Sequence, residues 1–233
     1  MDKSKSVMVS ICIPTYEMGG WGVNFLEHSF GAINIQSYRN FEVIVSDHSE
    51  NDDILKLCNR WGSLFKIRYF KNKEKRGSSS ANLNNAIRHA KGQWIKPLFQ
   101  DDFFYNYLGL QSLVDSIGES NWVASTCVHS DGENFFNPHL PYYHDEIQYG
   151  RNTISSPSVI MFKRNKNLLF DENLLWLMDV DFYKTLHTHY GMPSICRTCT
   201  VVNRTGDHQV SNNQATEELR EREQRYVREK YKV

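Results

Sequence analysis

Short apolar runs alternate with amphipathic segments along the first hundred residues of the chain. The apolar runs, residues 7–13, 41–45, 67–70 and 94–99, have the length and composition of buried strands. Between them, residues 23–36, 51–61 and 81–90 carry apolar side chains at helical spacing. Four such repeats with short connections predict a mostly parallel sheet flanked by helices, which is an α/β architecture.

The second half of the chain is less regular. Its pattern predicts helices over residues 108–117 and 180–189, and strands over residues 122–128, 158–162 and 195–202. Residues 131–152 form a long polar and aromatic stretch, and loops of that length are usually functional or mobile. From Glu217 onward the chain is highly charged with sparse apolar positions, which predicts a surface helix.

The composition is that of an ordinary soluble globular protein. Lys and Arg total 27 and so do Asp and Glu, so no net field favours nucleic acid or an anionic membrane. No apolar run approaches the roughly 20 residues of a membrane-spanning helix, and the N-terminus lacks a signal-peptide pattern. We therefore expect a cytoplasmic protein with at most a peripheral contact with membranes.

The cysteines agree with a cytoplasmic location. Their number, five, is odd, so they do not all pair in disulfides within the chain. Cys12, Cys58 and Cys127 lie in apolar surroundings typical of core residues. Cys196 and Cys199 form a C-x-x-C inside a strand-like run, without the second pair of a zinc site. A metal or redox role for this pair is a minor alternative.

Two adjacent carboxylates, Asp101 and Asp102, follow the strand-like run that ends at Phe99. Open α/β sheets bind ligands at the carboxyl ends of their parallel strands. Two hard oxygen ligands side by side suit Mg²⁺ or Mn²⁺ and leave coordination positions for the oxygens of a diphosphate. For an isolated pair of acids, a solvated turn or a helix cap would be the alternative.

The first two predicted strands also end in polar side chains. The first ends at Pro14-Thr15-Tyr16-Glu17, where a nucleobase could stack on the tyrosine ring. The second ends at Asp47, which could accept the N–H of a base. Each feature is weak evidence alone, because strand ends are often polar for solvation only.

A small, polar segment precedes the third predicted helix. Gly77 and the three serines after it free the backbone near a helix N-terminus, which is a favourable position for phosphate oxygens. Arg76 could add positive charge to a diphosphate. The segment matches neither the Walker loop nor the G-x-G-x-x-G of dinucleotide binders, and a simple N-cap at residues 78–80 is the alternative.

In chain order, these four segments resemble the motifs of the family 2 glycosyltransferases, which have the GT-A fold. The resemblance covers the first hundred residues well and extends more loosely to Gln209. Two motifs depart from the family pattern. Ser46-Asp47-His48-Ser49 stands where the family has D-D-G-S, and Phe99 replaces the first acid of the longer D-x-D-D form.

The resemblance implies a Rossmann-like, mostly parallel central sheet with a smaller acceptor-side subregion. It also implies a nucleotide-sugar site, whose donor-binding residues on this chain are Pro14, Thr15, Tyr16, Glu17, Asp47, Arg76, Gly77, Asn82 and Asp101. Asp102 matches the usual ligand of Mn²⁺ or Mg²⁺, and His208 lies in a late segment where a histidine can reach the metal or the diphosphate. A surface-loop histidine is the alternative for His208.

The candidate for the chemical step lies in Met178-Asp179-Val180-Asp181, which is similar to the family's E-D-x-D segment with Met178 in place of the glutamate. The resemblance makes Asp179 the general base for the acceptor hydroxyl. A carboxylate suits this role if burial and neighbouring charge tune its proton affinity. Because the acid begins a predicted helix, an N-cap is the alternative, and we assign Asp181 an auxiliary or capping role.

Acceptor contacts are expected from the second half of the chain. Ser155 and Ser156 belong to a segment that resembles the acceptor side of the family. The rings of Trp176, Tyr142 and Tyr143 could stack on an acceptor sugar, and core packing is the alternative for Trp176.

We therefore expect a metal-dependent, inverting glycosyltransferase that moves a sugar from a nucleotide-sugar donor, a UDP-sugar by preference, to a hydroxyl of a glycan or polysaccharide acceptor. One domain over residues 1–233 would comprise a nucleotide-sugar half (1–102), an acceptor-side half (103–211) and a C-terminal surface helix (212–233). One alternative is a non-catalytic nucleotide-sugar or glycan-binding domain of this fold. The other is a sugar-1-phosphate nucleotidyltransferase, which would need a Gly-rich loop with an arginine where this chain has Pro14-Thr15-Tyr16.

Overall fold

The computed structural model describes residues 8–206 and 215–232. The strands are β1 (Val9–Thr15), β2 (Phe41–Asp47), β3 (Ile67–Lys71), β4 (Trp94–Pro97), β5 (Phe103–Phe104), β6 (Trp122–Ser130), β7 (Phe135–His139), β8 (Ile160–Lys163) and β9 (Ser194–Arg204). The helices are α1 (Gly22–Asn34), α2 (Asp53–Trp61), α3 (Ser79–His89), α4 (Gly109–Asp115), α5 (Met178–Tyr190) and α6 (Glu217–Lys230).

All nine of these strands belong to one sheet. Its order is β3-β2-β1-β4-β8-β6-β9-β5, and β7 pairs with β6 outside this path. Strands β1 to β4 are mutually parallel, and β8 is antiparallel to both β4 and β6, so β6 and its parallel partner β9 run in the same direction as β1. The carboxyl ends of six strands therefore lie along one edge of the sheet.

Two apolar cores lie on opposite faces of this sheet. In β1, Ile11 and Ile13 belong to the core that contains Leu26 of α1, whereas Cys12 between them belongs to the core that contains Leu83 of α3. Successive side chains of a strand point to opposite faces, and helices cover both faces here. This arrangement explains why the strands read as continuous apolar runs.

The predicted elements correspond to observed ones, but the second half differs in places, and the short strand β5 has no predicted counterpart. The stretch 131–152 contains β7 and a 3₁₀ turn, Ile147–Tyr149, so it is more ordered than a loop. The predicted strand 158–162 begins later, because Pro157 opens a 3₁₀ turn, Pro157–Val159, before β8. Among the described residues, no helix combines the length and the apolar character that a membrane span requires.

The C-terminal helix α6 is not simply a surface helix. Glu223 and Val227 on its inner side are only 1% and 0% exposed, although most of the helix is charged and solvated. A buried carboxylate in a helix of this kind requires partners, and the turn before α5 provides them, as described below.

Candidate active site

A cleft of about 600 Å³ lies along the edge where the parallel strands end. Its walls come from the ends of β1, β2, β4, β6 and β9, the start of α3 and the start of α5. The lining residues are Pro14, Tyr16, Glu17, Met18, His48, Arg76, Gly77, Ser79, Asn82, Phe99, Gln100, Asp101, Asp102, His129, Asn152, Ser155, Ser156, Pro157, Leu175, Trp176, Met178, Asp179, Asn203 and Arg204. Residues from both halves of the chain therefore face one space.

The end of β1 is joined to the end of β4 by the side chain of Gln100. The Tyr16 amide donates to Gln100 Oε1 at 2.9 Å, and Gln100 Nε2 donates to Tyr16 O at 3.1 Å and to Gly22 O at 2.6 Å. A Cβ on Gly22 would lie 2.2 Å from Tyr16 O, so a side chain there would displace this junction. Tyr16 lies on the cleft wall and is 40% exposed.

Asp47 is fully buried, and protein groups surround its carboxylate. Thr15 Oγ1 and the Ser49 amide contact Oδ1 at 3.2 Å and 2.9 Å, and the Tyr69 hydroxyl and Lys71 Nζ contact Oδ2 at 2.7 Å and 3.5 Å. Neither Thr15 nor Asp47 is part of the cleft wall. In this structure the two side chains support the strand ends beneath the cleft, and their direct contact with a base stays a prediction.

His48 lines the cleft directly after Asp47. One ring nitrogen, Nε2, lies 3.1 Å from Glu74 O, and burial lowers the pKa of the imidazole. Because the D-D-G-S motif of the family has glycine at this position, His48 adds a ring to a wall that would otherwise be open backbone.

The start of α3 forms the wall next to His48. Gly77 has φ +88°, in the left-handed region that favours glycine, and the Ser78 hydroxyl caps the helix by accepting from the Ala81 amide at 3.2 Å. Asn82 accepts from the Ser46 hydroxyl at 2.6 Å and donates to Thr15 O at 3.0 Å. The N-terminal end of α3 therefore faces the cleft, where its partial positive charge suits an anion.

Arg76 and Glu17, both predicted donor-binding residues, form an ion pair at the rim of the cleft. Arg76 Nη2 lies 3.0 Å from Glu17 Oε1, and Arg76 Nη1 contacts Glu50. The Arg76 side chain is 44% exposed, so the pair gains little from Coulomb attraction in water. An incoming phosphate could compete for Arg76 at small cost.

The acid pair lies at the centre of the cleft. Asp102 is 4% exposed, and its two oxygens accept from the Arg204 amide at 3.0 Å and from the Ser156 hydroxyl at 3.2 Å. Burial, and then the charge of Asp101, raise the pKa of Asp102 to about 7. A bound cation would relieve this electrostatic cost, so the two carboxylates fit a divalent metal ion.

Within residues 8–206 and 215–232, no group of three or more His, Cys, Asp or Glu side chains is placed to hold a metal ion. Mg²⁺ is commonly held by one or two carboxylates together with substrate phosphates and water. The pair therefore suits a cation that binds with a diphosphate. His208, the other predicted ligand, lies outside the described residues.

Asp179 lies in the first turn of α5 and faces the same cleft as Asp102. Its Oδ1 accepts from the Val180 amide and its Oδ2 from Asn152 Nδ2, each at 2.9 Å. Burial raises the pKa of Asp179 to about 6, and the charge of Glu223 adds to this rise. The carboxylate is thus held in one orientation and has a proton affinity close to that of a neutral-pH base.

The loop that carries Asn152 has a strained backbone at Ser155. Ser155 has φ +95°, which is unusual for a residue with a side chain. The Tyr183 hydroxyl donates to Ser155 O at 2.8 Å, and Asn203 Nδ2 donates to Ser155 Oγ at 2.7 Å. Backbone strain that neighbours over-determine is concentrated at functional sites.

The cleft is also lined by His129, Asn203 and Arg204, for which the sequence pattern indicates no role. They end the parallel strands β6 and β9, and the signal for them was a polar residue after an apolar run, as at Val201-Val202-Asn203. The Arg204 guanidinium lies 4.9 Å from the Phe25 ring centre and 5.4 Å from that of Phe103. Arg204 is therefore a fixed cation beside the acid pair.

The predicted acceptor aromatics differ in position. Trp176 lines the cleft, and the Arg220 guanidinium of α6 lies 5.2 Å from its ring centre. Tyr143 stacks on His187 with ring centres 3.9 Å apart, and it does not line the cleft. Tyr142 is 51% exposed outside the lining. Of the three rings, only Trp176 is placed to meet a ligand in the cleft.

The family comparison agrees with these features. The sequence model of Glycosyl transferase family 2 matches residues 10–207, which is most of the chain. The chain therefore belongs to this family, as its ordered motifs indicated.

Curated relatives match a limited segment. An uncharacterized glycosyltransferase of Rickettsia felis is 34% identical over 97 residues, which are 42% of this chain and 15% of the relative. The GalNAc(5)-diNAcBac-PP-undecaprenol beta-1,3-glucosyltransferase of Campylobacter jejuni is 28% identical over 95 residues, which are 40% of this chain and 29% of the relative. The matches thus span less than a third of the length of these two relatives.

Solved structures share the fold. S. aureus TarS 1-349 in complex with UDP-GlcNAc has a TM-score of 0.73 and 14% identity, covering 94% of this chain and 65% of that chain. The mannosyltransferase PcManGT from Pyrobaculum calidifontis, in complex with GDP-Man and Mn2+, has a TM-score of 0.63 and 19% identity, covering 87% and 57%. These likenesses confirm the predicted GT-A fold.

Proposed function

We propose that this protein is a metal-dependent, inverting glycosyltransferase that moves a sugar from a UDP-sugar to a hydroxyl group of a glycan acceptor. The observation that carries the proposal is one cleft that contains both the acid pair Asp101 and Asp102 and the separate, oriented carboxylate of Asp179. The acid pair suits the diphosphate end of a donor, and Asp179 suits the hydroxyl of an acceptor. The family supports sugar transfer as the reaction.

The donor would lie across the carboxyl ends of β1, β2 and β4. The exposed face of Tyr16 and the ring of His48 suit a nucleobase, and the start of α3 at Gly77 suits the phosphates. The preference for UDP follows the likeness to the TarS complex with UDP-GlcNAc. The complex of PcManGT with GDP-Man makes a GDP-sugar the competing donor.

The diphosphate would meet three charged groups of the chain. Asp102, with Asp101 beside it, would hold Mn²⁺ or Mg²⁺, and the cation supplies Lewis-acid stabilisation of the leaving nucleoside diphosphate. Arg204, whose guanidinium packs against the rings of Phe25 and Phe103, adds a positive charge beside this position. His208 stays a predicted ligand.

Asp179 would take the proton of the acceptor hydroxyl as that oxygen attacks the anomeric carbon. The bond between this carbon and the diphosphate oxygen breaks, and its electron pair leaves with the nucleoside diphosphate. Attack from the face opposite the leaving group inverts the anomeric centre. Because the pKa of Asp179 is about 6, most of the carboxylate is ionised at neutral pH and ready to act as a base.

The donor class is tested by melting temperature with UDP-, GDP- and dTDP-sugars, each with and without Mn²⁺. A ligand at 100 times its Kd adds about 2.7 kcal/mol to the free energy of unfolding, which corresponds to a rise of roughly 5–10 °C for a domain of this size. We expect this rise with a UDP-sugar and Mn²⁺ together. A rise in melting temperature with a GDP-sugar and none with a UDP-sugar would overturn the UDP assignment.

A pair of aromatic variants locates the binding. Tyr16→Ala removes a ring from the cleft wall, whereas Tyr107→Ala removes the ring of a residue that is 56% exposed and lies outside the lining. The donor-induced rise should shrink only in the first variant. Release of nucleoside diphosphate then separates an enzyme from a binding domain, because a domain that only binds releases none. The cytoplasmic location and the glycan acceptor stay predictions.

A further inference from the structure

The one carboxylate buried on α6 is bound to the turn that precedes α5. Glu223 Oε1 accepts from the Leu175 amide at 2.8 Å, and Oε2 accepts from the Trp176 amide at 3.0 Å and the Leu177 amide at 2.9 Å. Charge-assisted hydrogen bonds of this length are among the strong ones in proteins. Three consecutive amides of one turn thus share a single acceptor from a distant part of the chain.

This turn has no local substitute for Glu223. The residue at the N-cap of α5 is Leu177, whose side chain cannot accept a hydrogen bond, and no side-chain cap is present at this helix start. The turn also carries Leu175 and Trp176 into the cleft wall, and its last residue, Leu177, lies two residues before Asp179. Its conformation therefore decides where both a cleft wall and the first turn of α5 lie.

A second set of contacts anchors the other end of α6. Lys230 Nζ lies 2.7 Å from Asp171 Oδ2 and 2.9 Å from Asp181, and the Tyr231 hydroxyl donates to Asp181 Oδ1 at 2.8 Å. Asp181 follows Asp179 by two residues on α5. The helix is thus attached on both sides of the base, so the position of Glu223 is fixed relative to α5.

We propose that Glu223 is a positioning residue for the transfer reaction, which holds the Leu175–Leu177 turn so that Asp179 and Trp176 face the acceptor. This inference rests on the proposed function of Asp179. It gives α6 a part in the acceptor side of the site, where the sequence indicated only a solvated surface helix.

Glu223 also acts on Asp179 through its charge. The groups that face Asp179 are Tyr183 of its own helix, Asn152 of the neighbouring loop and Glu223 of α6. Burial raises the pKa of Asp179, and the negative charge of Glu223 raises it further. Removal of this charge should therefore lower the pKa of Asp179 and weaken it as a base.

The test is Glu223→Gln, with Glu221→Gln as the matched control on the exposed side of the same helix. Glutamine keeps the shape but places an NH₂ group against at least one amide of the turn. For Glu223→Gln we expect kcat/KM for the acceptor to fall about 10- to 100-fold, as for a lost hydrogen bond to a charged group, with donor Kd unchanged. The acid limb of the pH profile should move to lower pH, on the order of half a unit.

Two outcomes would overturn the inference. One is a Glu223→Gln profile that coincides with that of Glu221→Gln. The other is a loss of activity in Glu223→Gln that is explained by a lower melting temperature, with the acid limb of its pH profile unchanged. A purely structural role of Glu223 would give that result.

A measurement without turnover keeps this inference separate from the proposed function. The ¹³C NMR titration of the Asp179 carboxyl carbon in wild type and in Glu223→Gln reports its pKa directly. If wild type transfers no sugar but the pKa still falls in the variant, the reaction assignment fails and the coupling stands. If wild type is active but the pKa is unchanged, the reaction stands and the role of Glu223 fails.

Discussion

An Asp179→Asn variant is expected to lose sugar transfer by about 10²- to 10⁴-fold in kcat, which is the usual contribution of a general base. The asparagine side chain cannot take the proton of the acceptor hydroxyl, although it has nearly the same shape. Its oxygen can still accept from the Val180 amide. Its NH₂ group would face Asn152 Nδ2, which in wild type donates to Asp179 Oδ2, so two donors would meet there. The variant should therefore lose one local hydrogen bond but keep its fold and its donor site.

The measurement combines kcat at saturating substrates with donor Kd by calorimetry in the presence of Mn²⁺. Asp53→Asn is a matched control, because Asp53 also lies in the first turn of a helix but is exposed and outside the main cleft. Donor Kd should be similar in wild type and in both variants. Transfer at a near wild-type rate by Asp179→Asn would remove this residue from the chemical step.

The same assignment predicts a pH dependence. An Asp whose pKa is raised to about 6 is ionised above that pH and protonated below it, and only the ionised form is a base. With Mn²⁺ and donor saturating, so that the bound cation keeps Asp102 ionised, kcat should thus be nearly constant from pH 7 to 8 and approach a tenfold fall per pH unit below 6. A profile that stays flat down to pH 5, in a protein that remains folded there, would contradict the assignment.

Most of the sheet and part of the site follow from local sequence. An apolar run that ends in acids is visible without any tertiary information, and parallel strands bring such ends together. For this reason the sequence alone predicts that Asp101, Asp102 and Tyr16 lie along one edge. Asp179 required the family resemblance, because an acid at a helix start has an equally simple capping explanation.

The surroundings of Asp47 show why strand ends do not decide contacts. Its carboxylate is occupied by Tyr69 and Lys71, which belong to β3. In the β2–β3 register Lys71 pairs with Asp47 and Tyr69 with Val45 two residues earlier, and register is a tertiary property. A sequence pattern shows that an acid ends the strand, but not which neighbours donate hydrogen bonds to its carboxylate.

The far wall of the cleft is not predictable from the sequence either, because it depends on pairing between distant strands. Strands β6 and β9 were expected as strands, but their parallel pairing joins segments about seventy residues apart. Only that pairing brings His129 and Arg204 to the same edge as Asp102. Glu223 was concealed for another reason, since a single buried acid within a charged helix has the same pattern as its solvated neighbours.

The second large effect is expected for Asp102→Asn, which should abolish the dependence of donor binding on Mn²⁺. The amide oxygen can still accept from the Arg204 amide, and the NH₂ group can donate to Ser156 Oγ, whose hydroxyl also contacts Asn203. The hydrogen bonds of the site are thus retained while one negative charge is removed. Because a cation contributes several kcal/mol at such a site, donor affinity with Mn²⁺ should fall by at least about 100-fold.

Calorimetry with and without Mn²⁺ separates this loss from unfolding. Without metal, Asp102→Asn should melt no lower than wild type, because the substitution removes a buried charge that burial and Asp101 disfavour. The control Asp115→Asn makes the same chemical change on an exposed side chain and should keep the metal dependence. If Asp102→Asn binds the donor with an unchanged response to Mn²⁺, the acid pair does not hold the cation and a different residue must neutralise the diphosphate.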